Sequence, residues 1–589
     1  MATITHTPST QPAKRWQFAA KLEDLEPGGR KTVHVDGRTL VLWRVDGQVH
    51  ALDNRCPHMG FPLDRGTCRD GILTCHWHQA RFDMKTGGTF DQFADDAQVF
   101  PVEVRGDEVW VDTSTQRDAR AYARTRLRDG LEQDIPLVLA KSAVALLAAG
   151  GEVGEALEIA LDFGVRNRDM GWGQGLTMLT CLANMMPHLD PEDRPLALYQ
   201  GLSAVARETA GSAPRFMLDP LPGDPPDVPT LKLWLRQFLA VRDEEGAERV
   251  VVSAVRAGAT PAELADMLYT AATDYRYIQI GHALDFVNKA FESLDFTGWD
   301  AGLAEVVLSS VVRLIAQGTR QEESNAWRHP VDLVGILEAA FPRIEEALDE
   351  GRSGRGTWDS RASLANKLLE DDPEGNVAAL LDALRAGATE EQLASSVNYA
   401  AALRIARFPT TNEFTDWDTT LHTFSFANAA HMGIRRAPSP ELLRGVFDAA
   451  MSVYLDRFLN VPAARIPEPR PGDDSDQLLD DFSALLDKQQ QVNQAGELVA
   501  RVLANGDRED RLLAAMGSAL VRENRDFHTI QTTETAFNLH HLLKGTPEAN
   551  NALIAAARYL AAHAPTTRGQ AQTYSIALRL HRGDKIYEE

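Results

Sequence analysis

The sequence predicts a multidomain chain: an N-terminal all-β domain followed by a large all-α domain of four repeat-like helical units. Three observations carry this. The chain has 589 residues, too many for one core and enough for roughly two to four domains. Residues 14–113 hold short runs that alternate apolar and polar side chains, broken by Asp and Gly. From about residue 136 the pattern changes to Ala, Leu, Glu and Arg at helical spacing.

The elements follow in order. Residues 1–13 read as a disordered polar tail. Within 14–113, the runs Lys31–Val35, Leu40–Val45 and Glu108–Val111 are separated by Asp36-Gly37, Asp46-Gly47 and Gly106-Asp107. Asp-Gly between alternating runs is a hairpin signal. Residues 114–135 are polar and read as a linker. Residues 136–589 form the all-α domain, in which catalysis is expected. Its units fall at roughly 136–220, 231–345, 362–465 and 478–580, punctuated by Pro and Gly clusters at Asp219–Pro226, Gly351–Gly356 and Pro467–Asp474.

The middle two units resemble each other most. Arg256-Ala-Gly-Ala-Thr260 and Arg385-Ala-Gly-Ala-Thr389 each open a helix, with Thr260…Glu263 and Thr389…Gln392 spaced as capping boxes. Each leads to a second helix, one with His282 six residues before Asn288 and the other with His422 six residues before Asn428. The outer units pair through Asn167-Arg-Asp169 and Asn524-Arg-Asp526, each ahead of a further helix.

Composition narrows the partners. The net charge of −24 argues against nucleic acid and against an anionic membrane, since both need a basic surface. Four cysteines in a chain this long make no disulfide framework, so a reducing compartment, the cytoplasm, is expected. The N-terminus has no apolar core of a secretory signal, and no run of about 18 apolar residues suggests a membrane span.

The densest chemical signal is Cys56-Pro-His58 followed, after sixteen residues, by Cys75-His-Trp-His78. Two thiolates suit one iron of a [2Fe–2S] centre, and two neutral imidazoles suit the other. Cys and His also bind zinc, but this spacing within a β-rich frame points away from it. Pro57, Gly60, Gly87 and Gly88 suit tight loops. Residues 14–113 resemble the Rieske ferredoxins and the N-terminal Rieske domains of ring-hydroxylating oxygenases. The resemblance implies a [2Fe–2S] cluster held by Cys56, His58, Cys75 and His78, and one-electron transfer. High-potential members carry an extra cysteine in each loop, which pair as a disulfide. The corresponding positions here are Phe61 and Trp77, so a low potential near ~ −150 mV is expected.

An electron carrier fused to a large domain implies an acceptor. In the oxygenases it is an iron held by two histidines and a carboxylate, but the D-x-x-H-x-x-x-x-H pattern is absent and the remainder is helical rather than α/β. A standard Rieske oxygenase architecture is therefore excluded. Instead, His282, Asp285 and Lys289 share one helix face, as do Glu534, Asn538 and His541. If these helices converge, His282, His422, Glu534 and His541 meet as a mononuclear non-haem iron site, with Asp285 orienting a ligand or moving protons. His431, His528 and His540 stand in reserve. A histidine on an Ala/Leu-rich helix is more often a hydrogen-bonded core residue, and that alternative applies to each. The Gly-Ala-Thr helix openings look like those of carboxymuconolactone-decarboxylase-like repeats. The His-bearing helices look like the questin-oxidase-like proteins, all-helical oxidases of aromatic polyketides.

These readings together predict an oxidoreductase. Electrons pass from the cluster to a helical-domain iron for O₂-dependent oxidation of a small organic substrate, aromatic or similarly apolar. The chain lacks a Gly-rich dinucleotide fingerprint and a P-loop, so an NAD(P)H-dependent flavin reductase or a ferredoxin reductase is expected as donor. A homo-oligomer is compatible with the architecture. The rival readings are a carrier whose helical domain only binds a partner, and a redox-sensing interaction module.

Overall fold

A computed structural model describes residues 14–114, 117–413, 415–468, 470–472, 474–584 and 586. The tail expected at 1–13 lies outside the described residues. The chain forms two compact units, residues 1–152 with 572–589, and residues 153–571.

The first unit is built on ten short strands: β1 (Trp16–Lys21), β2 (Arg30–Val35), β3 (Arg38–Val45), β4 (Gln48–Asp53), β5 (Thr67–Arg69), β6 (Ile72–Thr74), β7 (Arg81–Asp83), β8 (Val99–Phe100), β9 (Val102–Arg105) and β10 (Glu108–Asp112). They form three antiparallel sheets, ordered β2-β3-β4-β8, β1-β10-β9 and β5-β6-β7. The Asp-Gly pairs turn β2 into β3 and β3 into β4. Asp36 and Asp46 take φ of 51° and 50°, and Gly37 and Gly47 take 75° and 79°, the left-handed pair a tight hairpin needs. Leu40, Val41, Leu42 and Trp43 of β3 are buried, so this strand is the spine of the β core.

Two expectations are corrected here. Residues 114–135 are not an open linker: Ala119–Gln133 is a helix (α1), capped by Asp118, whose side chain accepts from Ala121 N–H. Its buried stripe of Ala123, Leu127 and Leu131 at i, i+4 and i+8 is the packing face, masked in the sequence by charge on the other faces. The strands end at Asp112, but the compact first unit extends beyond them. Helix α2 (Pro136–Ala148) and residues 572–584, which the sequence assigned to the first and last helical units, belong to the first unit. Arg55 fixes the returning segment by donating to the carbonyls of Leu580 at 2.9 Å and Asp584 at 2.8 Å.

The second unit is helical, and both predicted capping boxes are present at Thr260/Glu263 and Thr389/Gln392. Its centre is made by four helices, Gln174–Met185, His282–Phe296, Asp416–Arg436 and Phe527–Leu542, which pack on one another. These are the second helices of the units read from sequence. One stretch among the described residues, Ala301–Glu323, is long and apolar enough by composition to cross a membrane, with mean hydropathy 1.3, contrary to the expectation of no such run. It is broken into helices Ala301–Ser310 and Val312–Gln317, and 67% of it is buried, so helix packing accounts for its apolar character.

Gly87 holds φ of +76°, and a Cβ there would lie 2.0 Å from the Ala97 carbonyl oxygen. Gly87→Ala should destabilise the first unit by about 3 kcal/mol, because both strain and clash must be relieved. Thermal unfolding followed at the β signal checks this, and an unchanged midpoint would contradict it.

Candidate metal centres

The first centre is assembled from two loops. One follows β4 and carries Cys56 and His58. The other joins β6 to β7 and carries Cys75 and His78. Each folds back in the same way. Cys56 N–H donates to Phe61 O at 2.8 Å and Gly60 N–H to Cys56 O at 2.7 Å. Cys75 N–H donates to Ala80 O at 2.8 Å and Gln79 N–H to Cys75 O at 3.0 Å. Gly60 and Gln79 supply the left-handed turn residue, with φ of 80° and 63°.

Both sulfurs are buried and each meets two backbone N–H groups, from His58 and Met59 at Cys56 and from Trp77 and His78 at Cys75. The Cys56 thiol also donates to the Cys75 sulfur. That bond pushes Cys56 up and draws Cys75 down to about 6. The His58 and His78 rings meet edge to face with centroids 4.8 Å apart, and His58 Nδ1 is buried with no hydrogen-bond partner among the described residues. Burial, then His78 and Lys141, push His58 down to about 4, with Asp95 opposing. Two sulfurs ringed by N–H donors beside two imidazoles, one with an unmet buried nitrogen, fit the thiolate and imidazole halves of a [2Fe–2S] centre. Phe61 and Trp77 lie with ring centroids 5.9 Å apart, so an aromatic pair stands where the sequence reading placed the family's disulfide.

The second centre lies in the helical unit. His282, His422 and His528 come from three different central helices, and one ring nitrogen from each lies within 4.8 Å of the others. His422 Nε2 is 3.1 Å from His282 Nε2. The His282 and His528 rings stack at 5.8 Å, and the His422 and His528 rings meet edge to face at 4.8 Å. Burial is the main cause that pushes His282 down to about 3 and His422 down to about 4; neighbouring imidazoles add to it. Neutral imidazole is the form that ligates a metal.

Asp418 stands behind two of the three rings. Its backbone carbonyl bonds the His422 ring one turn later on the same helix. Its carboxylate lies 4.0 Å from His528 Nδ1 and accepts from Tyr559 Oη at 3.0 Å. His528 Nε2 is buried with no hydrogen-bond partner among the described residues. His282 opens its helix after a strained segment, in which Tyr277, Gln279 and Ile280 take φ of 44°, 51° and 50° and Gly281 takes 93°. For a β-branched residue such as Ile280 this backbone is an outlier, of the kind that concentrates at functional sites.

The structure brings together two of the four residues expected at the second iron. His282 and His422 meet, but Glu534 and His541 do not join them. Glu534 is committed to Lys289 Nζ at 2.7 Å and Asn184 Nδ2 at 2.8 Å. His541 is exposed and lies thirteen residues beyond His528, about 20 Å along the helix at 1.5 Å per residue. His528 takes the third place. A signal for it was available: His528 precedes Glu534 by six residues, the spacing of His282 to Asn288 and His422 to Asn428.

Asp285 lies one turn below His282 and accepts from Gln531 Nε2, which is one turn below His528. Lys289, fully buried, pairs with Glu292 at 2.8 Å and Glu534, and Asn184 also donates to Glu292 at 2.7 Å. Burial pushes the Asp285 carboxyl up to about 7, with Lys289 opposing.

A β unit presenting two thiols and two imidazoles on paired loops defines an iron–sulfur electron carrier. Residues 15–102 match the family model of the Rieske [2Fe-2S] domain. The ferredoxin component of the naphthalene 1,2-dioxygenase system of Pseudomonas aeruginosa is 30% identical over 102 residues, 17% of this chain and 98% of that relative. Apoptosis-inducing factor 3 of Homo sapiens is 34% identical over 96 residues, 16% of each chain. The 3-chlorobenzoate-3,4-dioxygenase oxygenase subunit of Comamonas testosteroni is 29% identical over 134 residues, 21% of this chain and 31% of that one. The chain thus spans less than a third of the last two relatives. Through its N-terminal domain the chain belongs to the Rieske [2Fe-2S] family, which implies a [2Fe–2S] cluster and electron transfer.

The raised Asp285 carboxyl has a stability consequence of defined sign. Its ordinary value is 3.8 and its folded value about 7. Between these pH values the folded chain keeps a proton that the unfolded chain has lost. Stability should therefore fall with rising pH across this window, by up to about 1.4 kcal/mol per pH unit from this group. Asp285→Asn should flatten the slope, as read by denaturant unfolding at pH 4.5 and 7; a slope unchanged by the substitution would show that Asp285 is ionised throughout.

Proposed function

We propose that this protein is a Rieske-fed non-haem iron oxygenase. Cys56, His58, Cys75 and His78 hold the [2Fe–2S] cluster, and His282, His422 and His528 hold a mononuclear iron in the helical unit. The observation that carries the reading is the convergence of three imidazoles from three helices around one point. When bound, the cluster exchanges single electrons and a histidine-held ferrous ion activates O₂.

The chain's own residues supply the rest. Burial keeps His282 and His422 neutral and ligand-competent. Asp418 aims His422 through its carbonyl and faces His528 with its carboxylate, in the manner of outer groups that fix a ligating imidazole. Asp285, the next polar group down the same helix face, holds a proton near neutral pH and can give it up there. Phe286 and Phe527 pack on the His282 ring at 5.5 Å each, an apolar wall that suits an aromatic or similarly apolar small molecule. None of the four cysteines is joined to another as a disulfide, which suits a cytoplasmic site. A separate flavin or ferredoxin reductase is the expected electron donor.

A carrier without a second metal is the other reading. It is favoured by the near-complete match to a dioxygenase ferredoxin component. Iron content separates the two. The oxygenase reading expects about three irons per chain, two in the cluster and one more. His282→Ala and His528→Ala should drop this to about two, abolish O₂ consumption supported by a reductase, and leave the Rieske EPR signal intact. Wild-type chain with two irons, fully loaded with cluster, would leave the carrier reading standing.

A further inference from the structure

We propose that Lys141, presented by helix α2, raises the reduction potential of the Rieske cluster by placing a cation against the loop between two of its ligands. Lys141 Nζ donates to the Pro57 carbonyl at 2.7 Å, and Pro57 is the residue between Cys56 and His58. The same ammonium pairs with Asp95, whose other oxygen accepts from Arg126 Nε at 2.7 Å. Arg126 is on α1, and it also donates to the carbonyls of Gln92 at 3.0 Å and Ala94 at 3.1 Å. The three charged groups are therefore locked between the helical hairpin and the cluster loops. Their side chains are only 16%, 15% and 11% exposed, so solvent screens them far less than a surface pair.

Burial would raise the Asp95 carboxyl, but Lys141 and Arg126 more than offset this and hold it ionised, below its ordinary value. Reduction adds one negative charge to the centre. A nearby cation stabilises that state and a nearby anion opposes it. Lys141 is the member bonded directly to the ligand loop, at the Pro57 carbonyl. The naphthalene system ferredoxin is matched over 98% of its length by 102 residues, which leaves it no room for counterparts of α1 and α2.

The test is a mediated redox titration of the full chain, read by the EPR signal of the reduced cluster. Lys141→Gln should lower the midpoint, with about a tenfold change in the oxidised-to-reduced ratio at fixed potential, ~59 mV for one electron. Lys141→Arg should stay close to wild type. Asp95→Asn should move the midpoint the opposite way, upward. A Lys141→Gln midpoint equal to wild type overturns the proposal. So does a shift of the same sign in Lys141→Gln and Asp95→Asn, which would mark general loosening of the loop. If Lys141→Gln fails to retain the cluster, the Asp95→Asn shift decides alone: upward supports the proposal, unchanged or downward rejects it.

Discussion

The structure depends first on the cost of burying anionic sulfur. A thiolate taken out of water needs compensation close at hand, and in the β unit the backbone provides it. Each ligand loop turns so that two N–H groups meet its cysteine sulfur, an arrangement that stabilises negative charge without recruiting a mobile side chain. The two loops use the same hydrogen-bond pattern, so the two cysteines enter the site as near equivalents. The strands behind them fix the spacing: β4 delivers one loop, and the β6–β7 hairpin delivers the other. This is why so few residues determine the centre and why it is readable from a short motif.

The helical unit faces the same problem with more charges. Lys289, Glu534 and Asp285 are all buried, and an unpaired charge there would cost several kcal/mol. Pairing Lys289 with Glu534, and Asp285 with Gln531, sets the register of two helices. The offset between partners is 245 or 246 residues in both pairs, and the same offset places His528 opposite His282. These buried polar layers share the register in which the two histidines meet. The left-handed segment before His282 costs energy, and it is held from both sides. Tyr277 packs against Phe426 at 5.0 Å and Trp327 at 6.2 Å, and Gln279 N–H bonds the Thr319 carbonyl at 2.8 Å.

What could be read from sequence follows from the range of the interactions involved. Asp-Gly hairpins, capping boxes and the Cys-x-His…Cys-x-x-His pattern are local, and each was legible. His282 and His422 were legible because a repeat presented them twice. Glu534 was misplaced because its spacing from Asn538 and His541 fixes only a face of one helix, while its partner Lys289 comes from another. His528 was undervalued for the converse reason, since nothing on its own helix shows what it faces. Helix α1 is hard to see in the sequence because Arg126, the residue that ties it to the β unit, looks there like one more surface charge. Its partner Asp95 is distant along the chain, and the return of residues 572–584 is likewise a long-range event.

Unmet ring nitrogens alone do not identify a metal site. Among the described residues, His431 Nε2 is also buried without a partner, yet its other nitrogen faces only the Asn398 amide, and such a nitrogen can be served by water. The two centres differ in that several ring nitrogens converge. A fold that gathers lone pairs forgoes the hydrogen bonds each could have made elsewhere, at about 1–3 kcal/mol for every buried group left unsatisfied. Three imidazoles turned toward one another offer each other little in return, since rings facing through nitrogen can form one hydrogen bond between two and leave the third out. His528 is that third ring. The arrangement repays its cost when a cation accepts all three lone pairs together, and the same reasoning applies at His58 beside the paired sulfurs.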